Sequence, residues 1–353
     1  MSTTDPNLLA AMRNIAATHR SSFPWTRDTP YVQPYFSYSP DHNSWLPSNV
    51  SPTPSPPSTD LHSLALISWN IDFMLPLNSA RLSAALEHLQ TLLFPPPSSV
   101  PAKPTVLLLQ EMLVSDLQLL QSTPWIRNHY HLTDVDDTYW ESGYYGTCTL
   151  IDRRLPVKDV FRVHYTSTRM QRDGLFVDIA AGKEKVLRFC NTHLESLIAN
   201  PPLRPVQMKI AAQYMREPGV HASFLAGDLN AIQPFDRTLH SDNGLKDAFI
   251  ELGGKEDSND GYTWGQQAQT KLREMFGCSR MDKVFYCGSA EIERFERIGV
   301  DVEVEGEDNR QLLIQQGLEK GWVTDHLGVM ADFALSGVEG QVQQELESDS
   351  ARL

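Results

Sequence analysis

The sequence predicts the α/β (α+β) class and, within it, a four-layer αββα sandwich: two mainly antiparallel sheets face to face, with helices outside. Three observations predict it. Strand-like runs outnumber helical ones, and both ends of the series, residues 63–71 and 323–333, read as strands. Several runs are apolar at nearly every position, as in Thr105-Val106-Leu107-Leu108-Leu109, which is how a strand covered on both faces reads. Long amphipathic helices are too few to follow every strand, as a singly wound parallel fold requires.

In chain order, residues 8–19 fit a short amphipathic helix with Leu8, Leu9, Met12 and Ile15 on one side. Residues 21–60 shift to Pro, Ser, Tyr and Asn and end in Ser51-Pro52-Thr53-Pro54-Ser55-Pro56-Pro57-Ser58, a composition that does not order itself as an independent domain. Trp25, Tyr31, Tyr35, Phe36 and Trp45 within it are candidates for docking on the body that follows. The expected organisation is therefore a partly flexible Pro/Ser-rich extension (1–61), the main domain (62–336) and an acidic tail (337–353).

After the strand at 63–71, Asn78 or Ser79 is expected to cap a helix in which Leu82, Leu86, Leu89 and Leu93 recur at helical spacing. A Pro/Ser loop leads to the strand at 105–109, which ends at Gln110-Glu111, and a helix-like stretch follows at 114–120. Strands at 129–132 and 146–151 flank Gly143-Tyr144-Tyr145-Gly146, and 161–165, 175–179 and 185–193 continue the β pattern. Residues 205–216 read as a helix with Val206, Ile210 and Tyr214 as its buried stripe. Phe224-Leu225-Ala226-Gly227-Asp228-Leu229-Asn230 is a buried strand that stops abruptly at Gly-Asp, delivering polar side chains to the sheet rim. Residues 280–286 form another strand, and 300–307 alternate as an exposed edge strand with an acidic outer face.

With 353 residues, 41% hydrophobic and 21% charged, the chain has ample material for a globular core. Its formal net charge of −14 excludes tight non-specific nucleic-acid binding over the whole surface and leaves room only for a local basic groove. Cys148, Cys190, Cys278 and Cys287 stand singly, without a C-x-x-C pair, as buried free thiols do. No apolar stretch reaches the roughly 18–20 residues of a membrane span, and residues 1–7 lack the pattern of a signal peptide. A nuclear or cytoplasmic protein, neither secreted nor bound to a membrane, is expected.

The chemistry lies at strand ends. Asp228 there can take a proton from water, and Asn230 can donate to a phosphate oxygen. Glu111 follows an all-apolar strand, so its carboxylate needs a cation or strong donors; a hard ion such as Mg²⁺ with Asn70, Asp72 and waters satisfies it, and capping of the helix near Val114 is the alternative. Asp282 can accept from one nitrogen of His326 and fix its tautomer, and His193 is a second imidazole at a strand end. Together these groups resemble the equipment of metal-assisted phosphoester hydrolysis.

The ordered set Trp69-Asn70-Ile71-Asp72, Gln110-Glu111, Gly143-Tyr144-Tyr145-Gly146, His193-Leu194-Glu195-Ser196, Gly227-Asp228-Leu229-Asn230, Tyr262-Thr263-Trp264, Arg280-Met281-Asp282-Lys283 and Thr324-Asp325-His326 resembles the endonuclease/exonuclease/phosphatase superfamily, with its DNase I-like fold. Within it the first, fourth and sixth motifs look most like the tyrosyl-DNA phosphodiesterase 2 family, which cuts the phosphotyrosyl bond of a trapped topoisomerase peptide at a 5′ DNA end. The resemblance implies a monomeric DNA-repair hydrolase acting on a single-stranded 5′ end or phosphotyrosyl adduct, using Mg²⁺ with Mn²⁺ as the alternative. It implies that Glu111 binds the metal, with Asp72 and Asp325 in its ligand set, that Asn70 supports the metal or the phosphate, that Asp228 orients or deprotonates water beside Asn230, and that His326, paired with Asp282 and near Asp325, stabilises the transition state. His193, Tyr144 and Ser196 would touch phosphate or nucleotide, and Trp264 would line the substrate channel unless it is a core aromatic. Two departures stand out: Ile232 replaces the arginine of that family and Leu327 its common tryptophan. Other superfamily chemistries, namely an abasic-site endonuclease, a deadenylase or a small-molecule phosphatase, remain open, as does a catalytically silent binding module.

Overall fold

Among the described residues, apolar runs bounded by Gly, Pro and Asn fold into fifteen strands in two sheets. The computed structural model describes residues 13–15, 17–18, 22–48, 61–96, 98, 101–182 and 185–337. In chain order these form β1 (Pro30–Val32), β2 (Tyr35–Ser39), β3 (Ser44–Ser48), β4 (Ser63–Asn70), helix α1 (Asn78–Leu93), β5 (Thr105–Leu113), α2 (Val114–Ser122), β6 (Tyr130–Leu132) and β7 (Tyr145–Asp152). There follow β8 (Val157–His164), β9 (Asp173–Ala180), β10 (Val186–Thr192), α3 (Arg204–Met215), β11 (Val220–Asp228) and β12 (Lys246–Asp247). The chain continues through β13 (Asp282–Gly288), β14 (Ala290–Ile298), α4 (Glu307–Gln315) and β15 (Gly328–Leu335).

One sheet runs β1-β8-β9-β10-β11-β13-β12 and the other β14-β15-β4-β5-β7-β6-β2-β3. All neighbours are antiparallel except β4/β5 and β10/β11. Each parallel pair needs a crossover, which α1 and α3 provide from the outer faces. Between the sheets lies an apolar core that includes Leu64, Leu66, Val106, Leu108, Phe189, Phe224, Val329 and Phe333. Phe224 meets Phe189 at 5.1 Å and, across the sheets, Phe333 at 4.7 Å between ring centroids. The outer faces pack under α1 and α2 on one side and under α3 on the other, which completes the αββα sandwich. Leu82, Leu86, Leu89 and Leu93 form the buried stripe of α1 as their spacing predicts.

Residues 30–48 join the body: β1 pairs with β8, and β2 and β3 extend the other sheet. Trp25, a docking candidate, is buried with its ring stacked on His164 at 4.0 Å. Residues 13–15 and 17–18 are helical, as expected, whereas Leu8, Leu9, Met12, residues 49–60 and the tail from 338 lie outside the described residues. The cysteines are free, with Cys148 and Cys190 buried.

Three local expectations are corrected. Leu77, in the left-handed region at φ 65°, is the N-cap of α1, and Asn78 donates its amide to Phe73 O instead. The buried face of α3 is not Val206 and Ile210 but Arg204, Gln207, Met208, Ala211, Ala212 and Met215, with Tyr214 at its edge. Arg204 and Gln207 turn inward because they have partners there: Asp236 and the backbone of Glu195. Residues 300–306 are a loop whose only pairing is the Glu303–Trp322 bridge; Val304 is drawn inward and the acids stay outside, but the sheet edge is β14.

Candidate active site

The parallel pairs set the stage. Asn70 closes β4, Asp228 closes β11, and His193 follows β10 directly, so three polar side chains emerge at the C-terminal ends of the central strands. Gly227 is required there: at φ 154° it lies so near β10 that a Cβ would sit 1.7 Å from Thr192 O. Glu111 arrives by another device. A bulge between Leu109 and Met112 puts Glu111 at φ 59°, turning its carboxylate out of the alternation of β5. Asp72 (φ 56°) and Asn230 (φ 48°) share this left-handed conformation, a strain that persists at such a site because the surroundings enforce it.

These groups converge. Asp228 Oδ2 accepts from Asn70 Nδ2 at 3.1 Å and lies 3.3 Å from His193 Nε2 and 3.7 Å from His326 Nε2. Its other oxygen, Oδ1, accepts the Asn230 backbone N–H at 2.9 Å. His326 Nδ1 meets Asp282 Oδ2 at 2.8 Å, and its Nε2 is 3.8 Å from Asp325 Oδ1. Glu111 Oε2 accepts the Phe73 N–H at 3.1 Å, and its Oε1 is 3.9 Å from His193 Nε2. Glu111 does not cap α2; Asp116 does so by accepting from Leu113 N.

Electrostatics divides the two imidazoles. Burial opposes charge on His326, but Asp282, Asp228 and Asp325 outweigh it and hold its pKa well above the ordinary value. Burial and the neighbouring Arg172 push His193 down to about 4. Burial likewise opposes ionisation of Asp228, yet His326, His193 and the Asn230 N–H hold its carboxyl below the usual range. Glu111 is pushed up to about 7, by burial and then by Asp72, and Asp72 up to about 6 by burial and then by Asp325. Glu111, His193 and Asp228 each offer one donor atom within 4.8 Å of the others, a set that suits a divalent cation, and Asp72 stands beside them.

The remaining expected residues lie around this centre. Asp72 Oδ1 accepts from Met74 N, and Asn70 Oδ1 accepts from Asp72 N, so both stabilise the turn after β4. Asn230 Nδ2 donates to Leu194 O, tying the two loops at the ends of β10 and β11. Trp264 is buried, packs with Ala268 and Met281, and donates its ring N–H to Asp325 Oδ2 at 2.7 Å. Ser196 is half-buried with its hydroxyl against Met170 Sδ. Tyr144 is half-buried; its hydroxyl accepts from Asn14, and its ring stands edge-on to Phe73 at 5.9 Å. Ile232 is 37% exposed and Leu327 is buried, so of the two departures only Ile232 alters the surface.

Several members went unforeseen. Phe73 stacks on Tyr145 at 4.5 Å and forms an aromatic wall with Tyr144 beside Glu111. Arg172, buried, donates to His193 Nδ1 at 2.8 Å. Arg81 binds the backbone on both sides of the site. Phe73, Arg172 and Arg81 belong to no motif, and for the two arginines a charged residue within an otherwise apolar or loop stretch was the available signal.

The endonuclease/exonuclease/phosphatase family model matches residues 67–326. No curated protein matches the sequence. Among solved structures, the chain is similar to a truncated Caenorhabditis elegans TDP2, with 21% identity and a TM-score of 0.57 over 78% of this chain and 100% of that one. A humanized D. rerio TDP2 with 14 mutations gives 19% identity and a TM-score of 0.57 over 77% and 98%. D. rerio TDP2 complexed with single strand DNA product gives 20% and 0.56, again over 77% and 98%. At these identities the likeness carries the fold.

Proposed function

The chain belongs to the endonuclease/exonuclease/phosphatase family, and from that premise we propose that it is a divalent-metal-dependent phosphodiesterase acting at DNA ends, of the 5′-tyrosyl-DNA type. It is an enzyme that hydrolyses phosphoesters. The observation that carries the finer reading is the convergence of Glu111, Asp228, His193 and His326, with none of the facing atom pairs quoted for them above 3.9 Å.

In this reading Asp228 orients the attacking water. Its carboxyl is held ionised by its neighbours, which makes it a constant acceptor and a weak base. His326, charged and fixed by Asp282, offers Nε2–H to the charge that develops on phosphorus. Asn230 and His193 supply further donors. Glu111, with Asp72, Asp325 and the free lone pair of the Asn70 amide oxygen, would hold Mg²⁺, or Mn²⁺, which polarises the phosphoryl group when bound. Each fixed donor of this kind is worth about 3–4 kcal/mol of barrier. The half-buried Phe73 and Tyr144 offer a stacking surface to a terminal base or an aryl leaving group. The protein works as a monomer, nuclear or cytoplasmic, and no described helix is long and apolar enough to cross a membrane.

Ile232 favours a second reading. It leaves an apolar side chain exposed two residues beyond Asn230, and Leu197 and Ile198, just after Ser196, are 66% and 67% exposed. Exposed apolar side chains so near Asn230 and Ser196 in the chain suit a phosphoester with an uncharged flank, such as a small molecule, better than a long polyanion. Purified protein with Mg²⁺ is to be offered a 5′-phosphotyrosyl oligonucleotide beside abasic DNA, oligoadenylate and small phosphodiesters. Release of tyrosine, abolished by Asp228→Asn, supports the first reading. Turnover of another substrate alone moves the assignment to the second, and no turnover of any removes both.

A further inference from the structure

Among the described residues, one buried cation at the site has neither a carboxylate partner nor an oxygen acceptor for its donors. Arg172, which leads into β9, is 5% exposed. Among the described residues its guanidinium bonds His193 Nδ1 at 2.8 Å and Met170 Sδ at 3.7 Å, lies over the Tyr145 ring at 5.6 Å, and leaves Nε unpaired. Arg162, Arg188, Arg204 and Arg280 are neutralised, by Asp134 and Asp173, by Asp178, by Asp236 and by Asp247 in turn, and Arg81, which also lacks a carboxylate, is satisfied by five backbone carbonyls. A guanidinium removed from water without a carboxylate weakens a fold, and an apolar side chain of similar volume would pack as well. Its presence here calls for a reason other than stability.

The reason lies in the direction of the bond. An arginine side chain has donors only and does not lose its proton in a protein. The N–H that Arg172 points at His193 Nδ1 must find a lone pair there, so the ring proton belongs on Nε2. The far side of the ring agrees. Nε2 faces Asp228 Oδ2 at 3.3 Å and Glu111 Oε1 at 3.9 Å, and both are acceptors. With the proton on Nδ1 instead, two N–H groups would oppose each other on one side of the ring and a lone pair would face two carboxylates on the other.

We infer that Arg172 is a positioning residue that locks His193 in the Nε2–H tautomer and so aims a fixed hydrogen-bond donor into the space between Asp228 and Glu111. The consequence for catalysis rests on the phosphoesterase reading above: His193 donates to a phosphate oxygen and takes no proton from water, which leaves Asp228 as the group that orients the nucleophile.

The test reads the tautomer itself, by ring-nitrogen NMR of metal-free, full-length protein labelled with ¹⁵N in histidine, assigned with His193→Gln. The expected wild-type spectrum shows His193 protonated at Nε2 alone. Arg172→Met should mix the two tautomers, leave the melting temperature unchanged or higher, and lower kcat about 10–100-fold with KM little changed. Arg172→Lys, which keeps donors and no acceptor, should restore the single tautomer. A wild-type proton on Nδ1 overturns the inference, and so does an Arg172→Met protein whose His193 keeps the pure Nε2–H form. Should Arg172→Met not fold, the wild-type spectrum and Arg172→Lys decide. Since the spectrum is independent of substrate, failure of the tautomer and failure of the phosphoesterase reading are separate outcomes.

Discussion

Asn70 Nδ2 donates to Asp228 Oδ2 across 3.1 Å, and this one bond joins the last residue of β4 in one sheet to the last residue of β11 in the other. The site is thus assembled across the two sheets, and its precision depends on their face-to-face packing. Asn70→Ala removes the bond and leaves both strands in place. The expected result is a loss of about 10²-fold in kcat, comparable to loss of one aligned donor, with an unchanged circular-dichroism spectrum. A variant with wild-type turnover would show that Asp228 needs no such tether.

The contact of His326 Nδ1 with Asp282 Oδ2 sets a pH dependence. His326 has its folded pKa raised above 6.5, so its charged form, and the stability it brings, is present at and below neutrality and is lost as pH rises through the folded pKa. Asp282→Asn removes the nearest of the groups that raise it. The alkaline limb of the kcat/KM profile should then move to lower pH, with a loss of about 10²-fold or more at pH 8. An alkaline limb that stays in place would free His326 of this role.

Glu111 carries the metal prediction. Its carboxyl is raised from 4.5 to about 7, chiefly by burial and by Asp72. The folded, metal-free chain therefore binds this proton more tightly than the unfolded one, and the stability so gained is lost as pH climbs from about 4.5 through 7. Glu111→Gln should flatten that decline in melting temperature between pH 5 and 8. It should also abolish the stabilisation by Mg²⁺, which reaches about 2.7 kcal/mol in wild type at a hundredfold excess over Kd. Calorimetry at two pH values checks both. Equal Mg²⁺ stabilisation in wild type and Glu111→Gln would place the cation elsewhere.

How much of this was legible beforehand follows from which physics is local. Strands such as β4 and β5 are apolar throughout because both faces are covered, and that property is written in consecutive residues. The strand-end residues Asn70, Asp228, His193 and His326 were visible for the same reason, as polar groups where apolar runs stop. The buried face of α3 was not, since counting apolar residues alone misses Arg204 and Gln207, whose partners are distant in the chain. The left-handed turn at Glu111 depends on a bulge that no residue type announces. Alternation at 300–306 implied an inner valine face, which Val304 fills and the 54% exposed Val300 does not, and it could not tell a strand from a loop held to the segment at 321–323. Arg172 and Arg81 escaped because their roles are to orient other groups.

Arg81 is the case where orientation and stability coincide. Fully buried on α1, it donates to the carbonyls of Ile71 (2.7 Å), Asp72 (2.5 Å), Leu75 (2.9 Å), Pro76 (2.9 Å) and Val323 (2.7 Å). The first four carbonyls lie on the turn that follows Asn70, and the fifth precedes Thr324-Asp325-His326. One guanidinium therefore fixes the two loops that carry Asp72 and His326 to the same helix. Arg81→Met would leave five carbonyls without this donor, at about 1–3 kcal/mol for each that water cannot reach. A loss of about 3 kcal/mol or more, read from the urea midpoint at constant m-value, is expected. Arg81→Lys keeps the charge but has three donors without the planar fork, so it should recover less than half of that loss. An Arg81→Met protein as stable as wild type would mean that water reaches these carbonyls and that the two loops hold their places without the clamp.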